Sequence, residues 1–202
     1  MKNSKNKLID PKYRNLEIRL RAPLGALFLL FWILAVNYCY REKSVAIPTV
    51  EAPLHIYANQ DGDNLQKTVK DALNQAKESI DIVIFSLTDN EIINTLKKKS
   101  EEGVVVNIVH DAVATQDVDW KLGPQVKLYP YRGRGLMHHK LISIDHHLAF
   151  IGSTNLTKES LKNHANLIIG IESPEIADYI SKKRVALSKR TKERFPPLIT
   201  KS

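Results

Sequence analysis

The sequence predicts an α/β domain behind a membrane-directed N-terminal helix, and three observations carry that expectation. Beyond residue 53 the hydrophobic period switches repeatedly between the strand and helix repeats. Between Arg21 and Arg41 no residue is charged. The 202 residues, less such a leader, leave about one ordinary domain with enough chain to bury its own core.

Taken in order, residues 1–22 form a basic segment. Residues 1–40 hold seven Lys/Arg against Asp10 and Glu17, a net charge of +5. Residues 23–40 follow as a transmembrane signal anchor; as a helix, Leu24 to Tyr40 would span roughly 25 Å at about 1.5 Å per residue, slightly short of a hydrocarbon core. Trp32, Tyr38 and Tyr40 suit an interface, and the basic flank would stay cytoplasmic, sending the remainder outward. A cleaved signal peptide is the alternative, with Ser44-Val45-Ala46 as its small-residue site, but charged Arg41-Glu42-Lys43 separate that site from the apolar run. No small residue stands before Cys39 to make a lipid-attachment site. As the sole cysteine, Cys39 excludes an internal disulfide framework and cysteine-rich zinc patterns.

Residues 41–53 are a linker with Pro48 and Pro53. A short strand is expected from His55 to Ala58, then a helix on which Leu65, Val69, Ala72, Leu73 and Ala76 share a face. Ile80 to Phe85 reads as a strand, and Asp89 or Asn90 caps a helix carrying Ile92, Ile93 and Leu96 that Gly103 closes. Val104 to Val109 has buried-strand character. Further strands are expected at 126–129, 136–144, 148–151 and 167–171; Ser173 then caps a last helix with Pro174 in its first turn. A basic tail occupies residues 186–202, and from Lys182 onward eight Lys/Arg stand against Glu193. Residues 41–181 are net negative at −4, so the basic overall balance is not the footprint of a nucleic-acid-binding domain. The Lys182 to Arg194 cluster is either a solvated helix face or a phosphate contact.

The stretch Met137 to Asp145 followed by Gly152-Ser153-Thr154-Asn155 reads H-x-K-x4-D-x6-G-S-x-N. Strand alternation sends His138 and Lys140 to one face and His139 to the other, so an imidazole and an ammonium converge. That pair suits a phosphate: a neutral imidazole can attack phosphorus, and Lys140 can neutralise the nonbridging oxygens as charge builds. Ser153 and Asn155 offer neutral donors to the same oxygens. Asp145 opens the turn Asp145-His146-His147, where it serves either the turn or the chemistry.

These residues resemble the hallmark of the phospholipase D superfamily; six specified positions at about 5% each coincide by chance on the order of once in 10⁸ starts. Upstream, Leu54-His55-Ile56-Tyr57, Ala76-Lys77-Glu78-Ser79, Ser86-Leu87-Thr88 and Gly103 to Asp111 resemble the small single-motif bacterial members. The likeness covers residues 54–185. It implies a sandwich of a mixed β-sheet flanked by helices, phosphodiester hydrolysis through a phosphohistidine on His138 without cofactor or metal, and catalytic roles for Lys140 and Asp145. Members of the family carry an Asn-x-Glu after this motif, whose carboxylate orients the catalytic histidine. Here Asn163-His164-Ala165-Asn166 holds no glutamate, which leaves orientation to Asn166, Asp145 or another group.

A zinc site among His138, His139, His146, His147 and His164 is the competing use of these histidines; it is opposed by the opposite faces of His138 and His139 and by the absence of an assisting cysteine. One motif supplies one histidine where the implied mechanism needs two, so a homodimer sharing one active site is expected. The anchor favours phospholipid head groups as substrate, with the domain outside the cytoplasm. A non-specific endonuclease, or a catalytically impaired membrane-anchored binding protein, is the alternative.

Overall fold

The computed structural model describes residues 25–36, 45–115, 118–133 and 135–193, divided into two compact units, Met1–Ser44 and Val45–Ser202. In the first unit, residues 25–36 form a helix, α1, whose apolar side chains, Leu27 to Leu34 among them, are exposed. Residues 23, 24 and 37–40 of the expected anchor lie outside the described residues, as do the basic segment 1–22 and the tail from 194 onward. Among the described residues no helix is long and apolar enough to cross a membrane.

The second unit alternates strands and helices: β1 (Leu54–Ala58), α2 (Leu65–Gln75), β2 (Ser79–Ile84), α3 (Asn90–Glu101), β3 (Val105–Asp111), α4 (Asp119–Leu122), β4 (Lys127–Tyr131), β5 (Lys140–Ile144), β6 (Leu148–Gly152), α5 (Lys158–Lys162), β7 (Leu167–Glu172) and α6 (Pro174–Glu193). The strands form one mixed sheet in the order β1-β7-β6-β5-β2-β3-β4. β2, β3 and β4 run parallel, whereas β5, β6, β7 and β1 are each antiparallel to their neighbours. Strand β5 is therefore the seam between the two halves.

Side-chain alternation sorts the sheet into two faces. One presents Ile80, Ile82, Ile84, Val106, Ile108, Ile142, Ile144 and Phe150 to Leu65, Val69, Leu73, Ile92, Ile93 and Leu96 of α2 and α3, the main core. Asn64 caps α2 by accepting from the Lys67 amide, and Asp89 caps α3 by accepting from that of Ile92. The other face is covered by α6, whose buried positions Ala177, Ile180, Ser181, Leu187 and Ser188 repeat at helical spacing. Small residues let that helix lie close: Ala177 packs with Ala149, and the Ser181 hydroxyl donates to that of Ser143. Arg184 belongs to the same stripe and donates through Nε to Asp81 Oδ1 at 3.0 Å, while Asn107 Nδ2 donates to the same oxygen at 3.0 Å. Asp81 is only 3% exposed, and removing one partner of such a buried pair costs about 3–5 kcal/mol.

The strands expected from the sequence are present, and one strand and the last helix differ most in extent. β5 starts at Lys140 rather than at residue 136, because the Met137 amide is taken by a carboxylate and not by a neighbouring strand. The last helix runs on to Glu193, past the expected domain limit at 185, since Leu187 packs with Val83, Val109 and Met137. Lys182, Lys189 and Arg190 of that helix are exposed.

Candidate active site

The site lies at the end of the sheet where β2, β3 and β4 finish and β5 begins. In register, Ile84 pairs with Lys140 on one side and with His110 on the other, which sets these three in a row across the sheet. The Phe85 amide donates to the His139 carbonyl at 3.0 Å, extending the ladder one step and holding the backbone beside His138.

Phe85 is the platform on which the two expected catalytic groups meet. Its ring centroid is 5.1 Å from that of the His138 ring, tilted by 58°, and 5.4 Å from Lys140 Nζ. The ammonium also donates to the His138 carbonyl at 3.3 Å. His138 is exposed, whereas Lys140 is 8% exposed, its stem packed among Ile84, Ile142, Thr154 and Leu156 around a cavity of about 20 Å³. Such a void holds little more than one water, so a phosphate must approach from the open side where His138 stands. Burial draws the Lys140 pKa below its ordinary value. His139 faces the other way: its pKa is lowered first by burial and then by Lys183 of α6, and its Nδ1 is buried without a partner. The expected division of His138 and Lys140 from His139 is thus the arrangement found.

Gly152 ends β6 where β7 passes so close that an added Cβ would collide with the Leu167 carbonyl oxygen, which accounts for glycine at this place in the motif. The following loop is a closed polar network. The Ser153 hydroxyl donates to Asn166 Oδ1 at 2.8 Å and accepts from the Leu167 amide, and Asn166 Nδ2 donates to the Ser160 carbonyl at 2.8 Å and to its hydroxyl at 3.0 Å. The Ser160 hydroxyl also accepts from the Asn155 amide at 2.9 Å. Asn155 Oδ1 is buried without a partner. Asn166 therefore fastens the Ser153 and Asn155 loop. It makes no bond to His138, and among the described residues no carboxylate bonds that ring.

Asp145 is not brought to this site. It follows the opposite end of β5, five residues beyond Lys140 or roughly 17 Å at about 3.3 Å per residue. Its Oδ2 accepts from the Lys77 amide and its Oδ1 from those of Glu78 and Ser79, each at 2.8 Å. Partial burial works to raise its pKa, but the three amides outweigh it and hold the carboxyl below the ordinary value. These bonds make Asp145 a latch joining the β5–β6 turn to the start of β2, at the end of β5 away from His138; Asp145 and His146 adopt positive φ angles of 49° and 59°. His147 meets Glu172 at that same end. Among the described residues His, Cys, Asp and Glu form no group of three or more that could hold a metal ion.

Two contributors carry no signal of their role in the sequence. Asp111, 4% exposed at the end of β3, accepts from the Val113 and Ala114 amides through Oδ1 and from the Met137 amide through Oδ2, so it fixes the residue preceding His138. Thr115 Oγ1 donates to the Phe85 carbonyl at 3.2 Å and accepts from the Leu87 amide at 3.1 Å, holding the platform.

A mixed sheet between helical layers, with an H-x-K pair set at the sheet's end beside a glycine-led polar loop, defines a phospholipase D-like domain. Residues 69–184 match the family model described as cardiolipin synthase, PLD-like domain, and the chain belongs to that family. Among curated relatives, a phospholipase D of Rickettsia bellii is 29% identical over 116 residues, covering 55% of this chain and 58% of its own. Cardiolipin synthase B of Salmonella typhimurium is 25% identical over 146 residues, 60% of this chain and 35% of its own. The chain thus spans between about a third and three-fifths of these relatives. The crystal structure of Nuc, a phospholipase D family member from Salmonella typhimurium, superposes with a TM-score of 0.61 at 21% identity, covering 67% of this chain and 93% of that one. At that identity the likeness speaks for the fold.

Proposed function

We propose that this protein is a metal-independent phosphodiesterase of phospholipase D type that hydrolyses phospholipid head groups. The observation that carries the proposal is the convergence of His138 and Lys140 on Phe85 at an open end of the sheet. A neutral His138 nitrogen attacks phosphorus as the bond to the head-group oxygen breaks, giving a phosphatidyl-histidine. Lys140 offsets the charge on the nonbridging oxygens. The leaving oxygen takes its proton from a second imidazole, supplied by His138 of another copy in a two-fold dimer that shares one site. That second imidazole, now neutral, takes a proton from water, which cleaves the P–N bond and releases phosphatidic acid. The uncharged stretch 23–40, as a membrane anchor, would keep the domain beside its substrate on the extracytoplasmic side.

Ser153 already donates its hydroxyl hydrogen to Asn166, so a phosphate oxygen gains that donor only by displacing Asn166. Nuclease action on single-stranded nucleic acid is the second reading, favoured by the exposed Lys182, Lys189 and Arg190 of α6. The deciding experiment incubates the full chain with EDTA and offers phosphatidylcholine, cardiolipin and single-stranded DNA. Lipid turnover that survives the chelator is the expected result. Cleavage of DNA alone overturns the lipid assignment, and activity restored only by zinc overturns the mechanism.

A further inference from the structure

Around the open side of the site the second unit exposes apolar side chains that its core does not use. Val113 is 78% exposed, Trp120 75% and Leu136 74%. Their placement follows from bonds already described. The carboxylate of Asp111 holds the Val113 amide on one oxygen and the Met137 amide on the other, which brings the loop bearing Val113 beside Leu136, two residues before His138. Trp120 follows five residues after Thr115, whose hydroxyl holds the Phe85 carbonyl at this end of the sheet. Cations accompany the three: Lys121 Nζ stands 5.5 Å from the centre of the Trp120 ring, and the exposed Arg132 follows β4. The other exposed large apolar side chains of this unit, Val50, Leu54, Ile56, Val105, Leu167 and Tyr179, are scattered over the segment before β1, the edge strand β1, the starts of β3 and β7, and α6.

We infer that this rim is a bilayer-docking surface, on which Val113, Trp120 and Leu136 enter the head-group zone of an anionic phospholipid membrane while Lys121 and Arg132 meet its phosphates. The inference rests on the head-group reading of the site and adds how a substrate held in a bilayer reaches His138. An indole suits the membrane interface because its body is apolar and its N–H stays wet. Aliphatic groups gain by leaving water for the acyl boundary, and cations beside them are drawn to anionic lipid. A single-stranded nucleic acid would use Trp120 with Lys121 in much the same way, by stacking and charge. It has no use for Val113 and Leu136, which offer a base nothing to stack upon, and these two decide for the membrane.

The chain has two tryptophans, so Trp32→Phe in the full chain leaves Trp120 as the only reporter. That protein is incorporated into vesicles of phosphatidylcholine and phosphatidylglycerol brominated on their acyl chains, which quench an indole only on close approach. Trp120 emission is expected to shift to the blue and to be quenched. Val113→Asp with Leu136→Asp should remove the quenching and lower turnover of vesicle lipid by about tenfold. Turnover of the soluble diester bis(p-nitrophenyl) phosphate and the thermal midpoint should not change. Unquenched Trp120, quenching unaffected by the double substitution, or quenching by single-stranded DNA in place of bromolipid each overturns the docking surface. Quenching with no lipid turnover overturns the head-group reading and upholds the surface; lipid turnover with unquenched Trp120 does the reverse.

Discussion

The two ends of β5 differ in how their polar groups are satisfied. At the Asp145 end both carboxylate oxygens are matched to backbone amides at 2.8 Å. At the Lys140 end lie the buried side-chain atoms that find no partner among the described residues: His110 Nε2, His139 Nδ1 and Asn155 Oδ1. An unmet buried polar atom costs about 1–3 kcal/mol, so stability alone would not gather three of them at one end. One end of the strand is closed by backbone amides, and at the other the unmatched atoms gather, His139 Nδ1 among them on the side away from Phe85.

The largest effect that this contrast predicts is on catalysis at the open end. His138→Ala and Lys140→Met should each lower kcat by about 10³ or more, with the circular dichroism spectrum unchanged. Substantial turnover in either folded variant would break the contrast. Because burial lowers the Lys140 pKa, the alkaline limb of the rate profile should fall below the 10.5 of a free lysine and vanish in Lys140→Arg, whose charge does not titrate in that range.

Next comes the closed end, where the effect should fall on stability instead. Asp145→Ala leaves three amides without their acceptor and should cost about 2–4 kcal/mol in urea unfolding, with kcat within about threefold of the parent. The sign with pH follows from a carboxyl held below its unfolded value: the stabilisation is complete above about pH 4 and is lost as pH falls through the folded pKa. Asp145→Asn should flatten the acid branch of the stability curve. An unchanged acid branch would mean that the latch carries no linked proton.

A smaller change should come from Asp111, which touches the site only through backbone. Asp111→Asn retains one acceptor oxygen and should lower kcat by about tenfold with KM nearly unchanged, because the segment before His138 loosens without removing a substrate contact. A rise in KM alone would instead place Asp111 at the binding surface. The smallest effect belongs to His139→Ala, expected within about threefold in rate, since that ring faces Lys183 and away from Phe85. Equal losses at His138 and His139 in folded protein would reverse the assignment of faces.

Much of this contrast is legible in the amino-acid sequence itself. Strand and helix periods locate most of the elements because apolar residues repeat over six or more positions, as in Ser79–Ile84 and Leu65–Gln75. Helices α4 and α5, with four and five residues, are too short to show a period and leave no trace in it. Spacing within the motif puts His138 and Lys140 on one side correctly. It cannot assign Asp145, whose partners lie in Lys77 to Ser79, more than sixty residues earlier. Phe85 is visible only as the last residue of an apolar run and Asp111 only as a polar residue two beyond one, and their roles arise from tertiary neighbours that no local pattern encodes.

The Asp81–Arg184 pair also bears on the order in which the chain matures during its synthesis. Asp81 leaves the ribosome with strand β2, whereas Arg184, 103 residues later, arrives only with the last helix. Until then the sheet cannot close over that face without entombing an uncompensated charge, so the nascent sheet should stay open and in need of chaperone cover. Docking of α6 is therefore the step that brings Asp81 its counter-charge, after Asn107 of β3 has already supplied a neutral donor.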